Sequence, residues 1–174
     1  GASVRNFGMV WPIGQKRENL SKALRSRNIW LDLAEKAHFF IKENGSLHLA
    51  YHKDELQVLE EFTQKNIDLE GVKILTPTEI SNYSKAYCEE NLLGALWSPH
   101  ELTVSPRQAL LRITEFLQIF HEVEFHFNTH ITGVSMPQIF SAQKVWEVDE
   151  LIICNGANFE SLYLSKFFVG AYYL

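Results

Sequence analysis

A switch of hydrophobic period in the first third of the chain limits what it can fold into. From Lys16 onward, Leu20, Ala23, Leu24, Trp30, Leu31, Ala34 and Ala37 recur at spacings of three, four or their multiples, which gathers them into one apolar stripe of an α-helix. Two apolar runs come next, His38-Phe-Phe-Ile-Lys42 and Ser46-Leu-His-Leu-Ala-Tyr51, on either side of Glu43-Asn-Gly45. Both residues of an Asn-Gly pair tolerate positive φ, so this pattern predicts a β-hairpin, with the helix packed under its sheet. A helical period that gives way to paired strands predicts a mixed α/β fold.

The remainder alternates in the same manner. Leu56, Leu59 and Phe62 predict a second helix over Asp54 to Asn66, Val72-Lys-Ile-Leu75 a short strand before Thr76-Pro77, and Ile80 another short turn or helix. Leu92 to Trp97 reads as a strand. Ser105 then caps a helix whose first turn holds Pro106, where a missing N–H donor costs nothing, and Leu110, Ile113, Leu117 and Phe120 continue one face. Val123, Phe125 and Phe127 alternate with Glu124, His126 and Asn128, which predicts a half-exposed strand. Ile139 to Val148 predicts further strands of a small antiparallel meander. Finally Leu151-Ile-Ile-Cys154 is an apolar run of strand length that stops at Asn155-Gly156, the pattern of a buried strand opening onto a crevice.

Composition removes several classes of function. With 174 residues, 46% of them hydrophobic, the chain can bury a core. Its 16 basic residues are scattered among 21 acidic ones for a net charge of -5, which argues against nucleic-acid binding. No apolar run reaches the roughly 18 to 20 residues that span a bilayer, and no basic segment leads into an apolar one at the start, so neither a membrane span nor a secretory leader is expected. Cys88 and Cys154, far apart in sequence, read as reduced thiols of a cytoplasmic protein, with Cys154 buried at its strand end. The Asn19, Asn44 and Asn82 glycosylation triplets are then chance matches.

Metal chemistry finds little support. His48 and His52 are four apart, a helical ligand spacing, but lie in a strand pattern, and His126 and His130 lack a third ligand at a recognisable spacing. His100 and Glu101 read as a solvated turn, with approach to a substrate pocket as the alternative. Arg107 reads as a helix-start cap or ion pair, with a phosphate contact as the alternative. No Ser/His/Asp, Cys/His or paired-carboxylate constellation is visible, so no catalytic side chain is nominated.

Two segments carry a different signal. Ser3, Arg5, Asn6 and Gly8 form a short irregular run with a glycine where the backbone approaches something closely. Ser3-Val-Arg-Asn-Phe-Gly-Met9, Leu93-Gly-Ala-Leu-Trp-Ser-Pro99, Val104-Ser-Pro-Arg107, Asn128-Thr-His-Ile-Thr-Gly-Val134 and Cys154-Asn-Gly156 follow one another in the order found in FAD-dependent oxidoreductases. The chain resembles the D-amino-acid oxidase, glycine oxidase and sarcosine oxidase superfamily, and within it a branch associated with phosphonate metabolism. The resemblance implies that Ser3, Arg5, Asn6, Phe7 and Gly8 contact the flavin through backbone amides and the Asn6 side chain. It also implies that the backbone of Ile131 meets the adenine, and that FAD passes close to Cys154, Asn155 and Gly156.

The same resemblance implies part of an FAD-binding layer combined with a mainly antiparallel substrate-type sheet and helices. Residues 1–174 would form one folded unit, with 38–104 substrate-domain-like and 1–37 and 105–168 FAD-domain-like. The family's Gly-x-Gly-x-x-Gly turn, which holds the pyrophosphate, has no counterpart here, and the chain reads as a central fragment with weak or absent FAD binding of its own. The implied reaction is oxidation of a C–N bond in a small amine or amino acid, an aminophosphonate being one candidate. The alternatives are an inactive truncated domain and a non-enzymatic binding module that self-associates into a homo-oligomer through exposed aromatic surface.

Overall fold

A computed structural model describes residues 3–154 and Gly156. The chain divides into one unit spanning Gly1–Val123 and another spanning Glu124–Leu174. Boundaries placed at 37/38 and 104/105 both fall inside the first. The mixed α/β class predicted from the change of period holds, with helices and wholly antiparallel strand pairing.

In the first unit, the Ser3–Arg5 turn leads to strand β1 (Met9–Val10), and a second turn, Pro12–Gly14, leads to helix α1 (Arg17–Ala37). The helix ends where His38 turns left-handed, at φ 54°. Strands β2 (Ile41–Glu43) and β3 (Ser46–Ala50) precede helix α2 (Lys53–Lys65), strand β4 (Lys73–Leu75) and the short helix α3 (Pro77–Ile80). Strands β5 (Gly94–Ser98) and β6 (Leu102–Val104) then lead into helix α4 (Pro106–His121), which starts after Ser105 with Pro106 in its first turn as predicted. One sheet has the order β1-β6-β2 and another β3-β5-β4.

The expected hairpin at Asn44-Gly45 does not form. β2 pairs with β6, while β3 pairs with β5 in the other sheet. The segment 41–50 is one bent strand running antiparallel to a second bent strand, 94–104. Glu43 lies opposite Leu102 and Ser46 opposite Ser98, so residues 44 and 45 face residues 99, 100 and 101, two against three. Such a bulge turns a strand from one sheet into another. Gly45 supplies the positive φ, 63°, and its N–H donates to the Glu101 carbonyl at 3.1 Å. A hairpin turn and a bulge both ask for a glycine with positive φ, which is why the dipeptide alone misleads.

Three clusters hold this unit together. Small residues let α1 and α4 approach each other over β6: Ala34, Ala37 and Ala109 pack with Phe39 and Val104. Leu96 packs with Ile13, Leu20 and Leu69, and Leu75 with Ile80, Leu92 and Ala95. Full burial of a Leu or Ile side chain contributes about 1.5–3 kcal/mol, and Leu75, Ile80, Leu96 and Leu102 are all fully buried.

The second unit is an antiparallel meander in which β7 (Ile131–Ser135), β8 (Gln138–Ser141) and β9 (Val145–Glu147) pair in sequence order; β8 and β9 fall in the stretch expected to hold such strands, and β7 adds one before it. Two expectations fail around it. Val123 to Asn128 is not a strand, because the alternating residues have no partner strand among the described residues; Phe125 and Phe127 stack on each other instead, centroids 5.7 Å apart. Leu151 to Cys154 is neither paired nor buried: Ile152 is 83% exposed and Cys154 is exposed. An apolar run becomes a buried strand only where neighbours cover both faces.

Gly45→Ala is expected to destabilise the first unit by about 2 kcal/mol, through left-handed strain and collision of the new Cβ with the Ser98 carbonyl and Trp97 ring, read as a lower urea midpoint at unchanged slope. Two helix starts predict an acid dependence. The Glu55 carboxylate accepts the N–H groups of Tyr51 and His52, and that of Glu79 accepts the Thr76 N–H and hydroxyl; these bonds hold both carboxyls below their ordinary value of 4.5. Groups depressed in the folded state stabilise it above the unfolded value and lose that effect as pH falls through the folded one. The urea midpoint should therefore drop as pH falls below about 4.5, and less steeply in Glu55→Gln and Glu79→Gln.

Candidate functional site

The Ser3–Gly8 segment is built around a local hydrogen bond. Asn6 Oδ1 accepts the Gly8 N–H at 2.7 Å, and the Gly8 carbonyl accepts the Val104 N–H at 2.8 Å. Gly8 is buried with φ 80°, and a Cβ there would drive into the Val104 carbonyl. The close approach inferred from sequence is thus, in the first instance, that of β6. Ser3, Asn6 and Gly8 border a cleft of about 390 Å³ with Trp30, Pro106 and Leu110. Arg5 and Phe7 are exposed, Phe7 at 81%, and neither lines the cleft.

Trp30, Pro106 and Leu110 carry no site signal in the sequence. Trp30 and Leu110 read only as helix-stripe positions and Pro106 as a helix starter. Their convergence depends on α1 packing against α4, which no local pattern reveals.

In the second unit Ile131 opens β7 and borders its own cavity of about 430 Å³, with His126, Ile139, Trp146, Leu151 and Ile153. Its walls are largely apolar. The Trp146 Nε1–H is buried without a hydrogen-bond partner among the described residues, and the His126 ring meets the Trp146 ring edge-on, centroids 5.3 Å apart. A buried unpaired donor costs about 1–3 kcal/mol, so this one is suited to a ligand acceptor. Cys154 is exposed rather than buried at a strand end, since the run before it has no strand partner among the described residues. Gly156 has φ 62° with open space around its Cα, and Asn155 lies outside the described residues.

His100 and Glu101 do not form a solvated turn. Glu101 is 1% exposed. Its carboxylate accepts the Ser46 hydroxyl at 3.0 Å and the Ile13 N–H at 3.5 Å, while the His100 carbonyl accepts Arg27 Nε–H at 2.7 Å. Burial lowers the pKa of His48 from 6.5, and the charge of Glu101 opposes that shift. Among the described residues no group of three His, Cys, Asp or Glu is placed to hold a metal, and no helix is long and apolar enough to cross a membrane.

The family profile described as DAO, FAD dependent oxidoreductase, matches residues 1–169, and the chain belongs to that family. No curated protein matches the sequence. Among solved structures, glycine oxidase from Bacillus cereus ATCC 14579 superposes with a TM-score of 0.77 at 16% identity, over 94% of this chain and 48% of that one. L-proline dehydrogenase from P. horikoshii gives 0.75 at 16% identity, over 84% and 40%. L-alpha-glycerophosphate oxidase from Mycoplasma pneumoniae, with FAD bound, gives 0.67 at 16% identity, over 82% and 40%. These likenesses show the fold. The chain spans less than half the length of each of the three.

Asn6→Ala removes the acceptor of the Gly8 N–H and is expected to cost about 1 kcal/mol, with Asn6→Asp, which keeps an acceptor, costing less in the same urea titration.

Proposed function

We propose that this chain is the part of an FAD-dependent oxidoreductase that borders the flavin, in an enzyme oxidising the C–N bond of a small amine or amino acid. The observation that carries the proposal is the Asn6–Gly8 turn at the edge of a mainly apolar cleft, in a chain of a flavin-dependent family. The cleft volume, about 390 Å³, lies in the range of about 300–1,000 Å³ usual for small-molecule pockets. Its residues fit an uncharged part of the cofactor: Ser3 and Asn6 offer polar groups at the rim, Trp30 and Leu110 offer apolar wall, and no cation lines it. When bound, flavin supplies the acceptor for the hydride leaving the carbon that bears nitrogen. The chain's own residues orient and exclude water; Ser3, Arg5, Asn6, Phe7 and Gly8 are assigned to the flavin, with Cys154, Asn155 and Gly156 passing near it.

We assign the Ile131 backbone to the adenine, and the unpartnered Trp146 Nε1–H supports an acceptor-bearing planar ring in that apolar cavity. Residues 38–104 are assigned to the substrate side, and 1–37 and 105–168 to the cofactor side. Within the amine class we favour an aminophosphonate, on the likeness of Ser3-Val-Arg-Asn-Phe-Gly-Met9 to the phosphonate-associated branch. A second reading, a self-associating binding module, is supported by the apolar surface of α4, where Leu111, Ile119 and Phe120 are exposed.

No Gly-x-Gly-x-x-Gly run occurs in these residues, and the charge-assisted pyrophosphate contacts of such a turn are therefore absent from them. An absorption titration with FAD should show weak or no binding by residues 1–174 alone, and tight, saturable flavin bands once a glycine-rich nucleotide-binding unit is joined ahead of Gly1. Asn6→Ala in the joined protein should weaken FAD binding about fivefold or more. A joined protein that stays colourless and forms a stable oligomer would favour the second reading over the first.

A further inference from the structure

A polar relay lies beside the sheet-to-sheet bulge. Ser46 Oγ stands 3.0 Å from Glu101 Oε2 and 3.1 Å from His48 Nε2. A hydroxyl carries one proton, and an ionised carboxylate can only accept, so the Ser46 proton goes to Glu101. Ser46 must then accept from His48, which places the proton of the neutral imidazole on Nε2. Nδ1 keeps its lone pair, and no protein donor among the described residues meets it. Trp11 holds the ring in place, centroids 5.5 Å apart and planes at 20°. His48 borders a cleft of about 570 Å³ with Leu49, Asp54, Glu55, Val58 and Leu59.

We propose that His48 is an amine-recognition residue: its Nδ1 lone pair accepts an N–H of a primary ammonium group in this cleft, with Ser46 and Glu101 as positioning residues that fix the tautomer. The proposal rests on the amine-oxidation reading and adds a recognition subsite to it. No covalent step is involved. A carboxylate or phosphonate end is disfavoured here, because the charged residues that share the cleft, Asp54 and Glu55 of α2, are acidic, as is Glu101 reached through Ser46. Glu55 already accepts two backbone N–H groups, which leaves the imidazole as the neutral acceptor of the group. Burial keeps His48 uncharged at neutral pH. Protonation fills Nδ1 and adds a positive charge, so recognition is lost as pH falls through the lowered pKa of His48.

The test uses the full chain with histidine labelled in nitrogen-15 and long-range proton–nitrogen NMR. Methylammonium is the probe, and tetramethylammonium, equally charged but without an N–H, is the control. The expected result is an Nε2–H tautomer and a saturable movement of the His48 Nδ1 signal with methylammonium at neutral pH, fading in acid and far smaller with tetramethylammonium. Ser46→Ala should mix the tautomers and weaken methylammonium binding about fivefold, as expected for one hydrogen bond, with Ser46→Thr restoring both. An Nδ1–H tautomer, no movement, equal movement with the control, or Ser46→Ala matching the parent overturns the proposal. The FAD titration is independent of these signals, so failure of His48 recognition with intact flavin binding sinks this inference alone, and failure of flavin binding sinks the function it builds on.

Discussion

The bulge that sets Asn44 and Gly45 against Pro99, His100 and Glu101 is the constraint on which the first unit depends. Without it, the paired segments 41–50 and 94–104 would run on as one flat ribbon. With it, their ends belong to different sheets, so β6 is free to receive β1 on its other side and to carry Gly8 against Val104. The bend also turns Glu101 inward. A buried carboxylate is costly unless its lone pairs are met, and it is met by a hydroxyl from β3 and a backbone N–H from the turn before α1. One backbone irregularity therefore orders three segments distant in sequence.

This explains which features could be read from the residues alone. Ser105-Pro106 and the apolar face of α4 were legible because helix starts and helix stripes are decided within a few residues. The β8–β9 part of the meander was legible for a similar reason, its strands being consecutive. Gly45 was legible as a positive-φ position but not as a bulge, since only the partner strand 99–101 distinguishes the two. The burial of Glu101 left no trace, because its partners Ser46 and Ile13 lie 55 and 88 positions away. Val123 to Phe127 and Leu151 to Cys154 carried strand composition without strand structure. Composition reports what a segment could pair with, and pairing itself needs a neighbour.

Family membership points to FAD-dependent oxidoreductases, and the fold leaves the substrate open. Solved structures named for glycine, proline and glycerophosphate share it at 16% identity with this chain. What separates such proteins must reside in side chains rather than in architecture. In this chain the polar side chains of the Ser46–His48–Glu101 group are set on and beside strands, where backbone pairing limits their freedom. Ser46 and His48 share one face of β3 because alternate residues of a strand do. That shared face makes a relay possible at all, and a one-residue slip in β3 would turn both away from Glu101.

Gly8 shows how far a single residue can be pressed as a sign of function. Its positive φ and the lack of room for a Cβ are fully accounted for by the Val104 carbonyl. The same glycine would be required whether or not a flavin lies beyond it, so the glycine by itself does not argue for a ligand. The case rests on what the glycine permits: β1 lies close against β6, and Asn6 and Ser3 stay at the cleft rim instead of being drawn into the sheet. Asn6 commits one lone pair of its oxygen to the Gly8 N–H, while its amide nitrogen, a donor, meets no acceptor among the described residues. A donor at the rim of an apolar cleft suits the carbonyl and ring-nitrogen edge of a flavin better than it suits a cation. On the proposed reading, the local turn thus favours an acceptor-bearing edge of the cofactor at this rim.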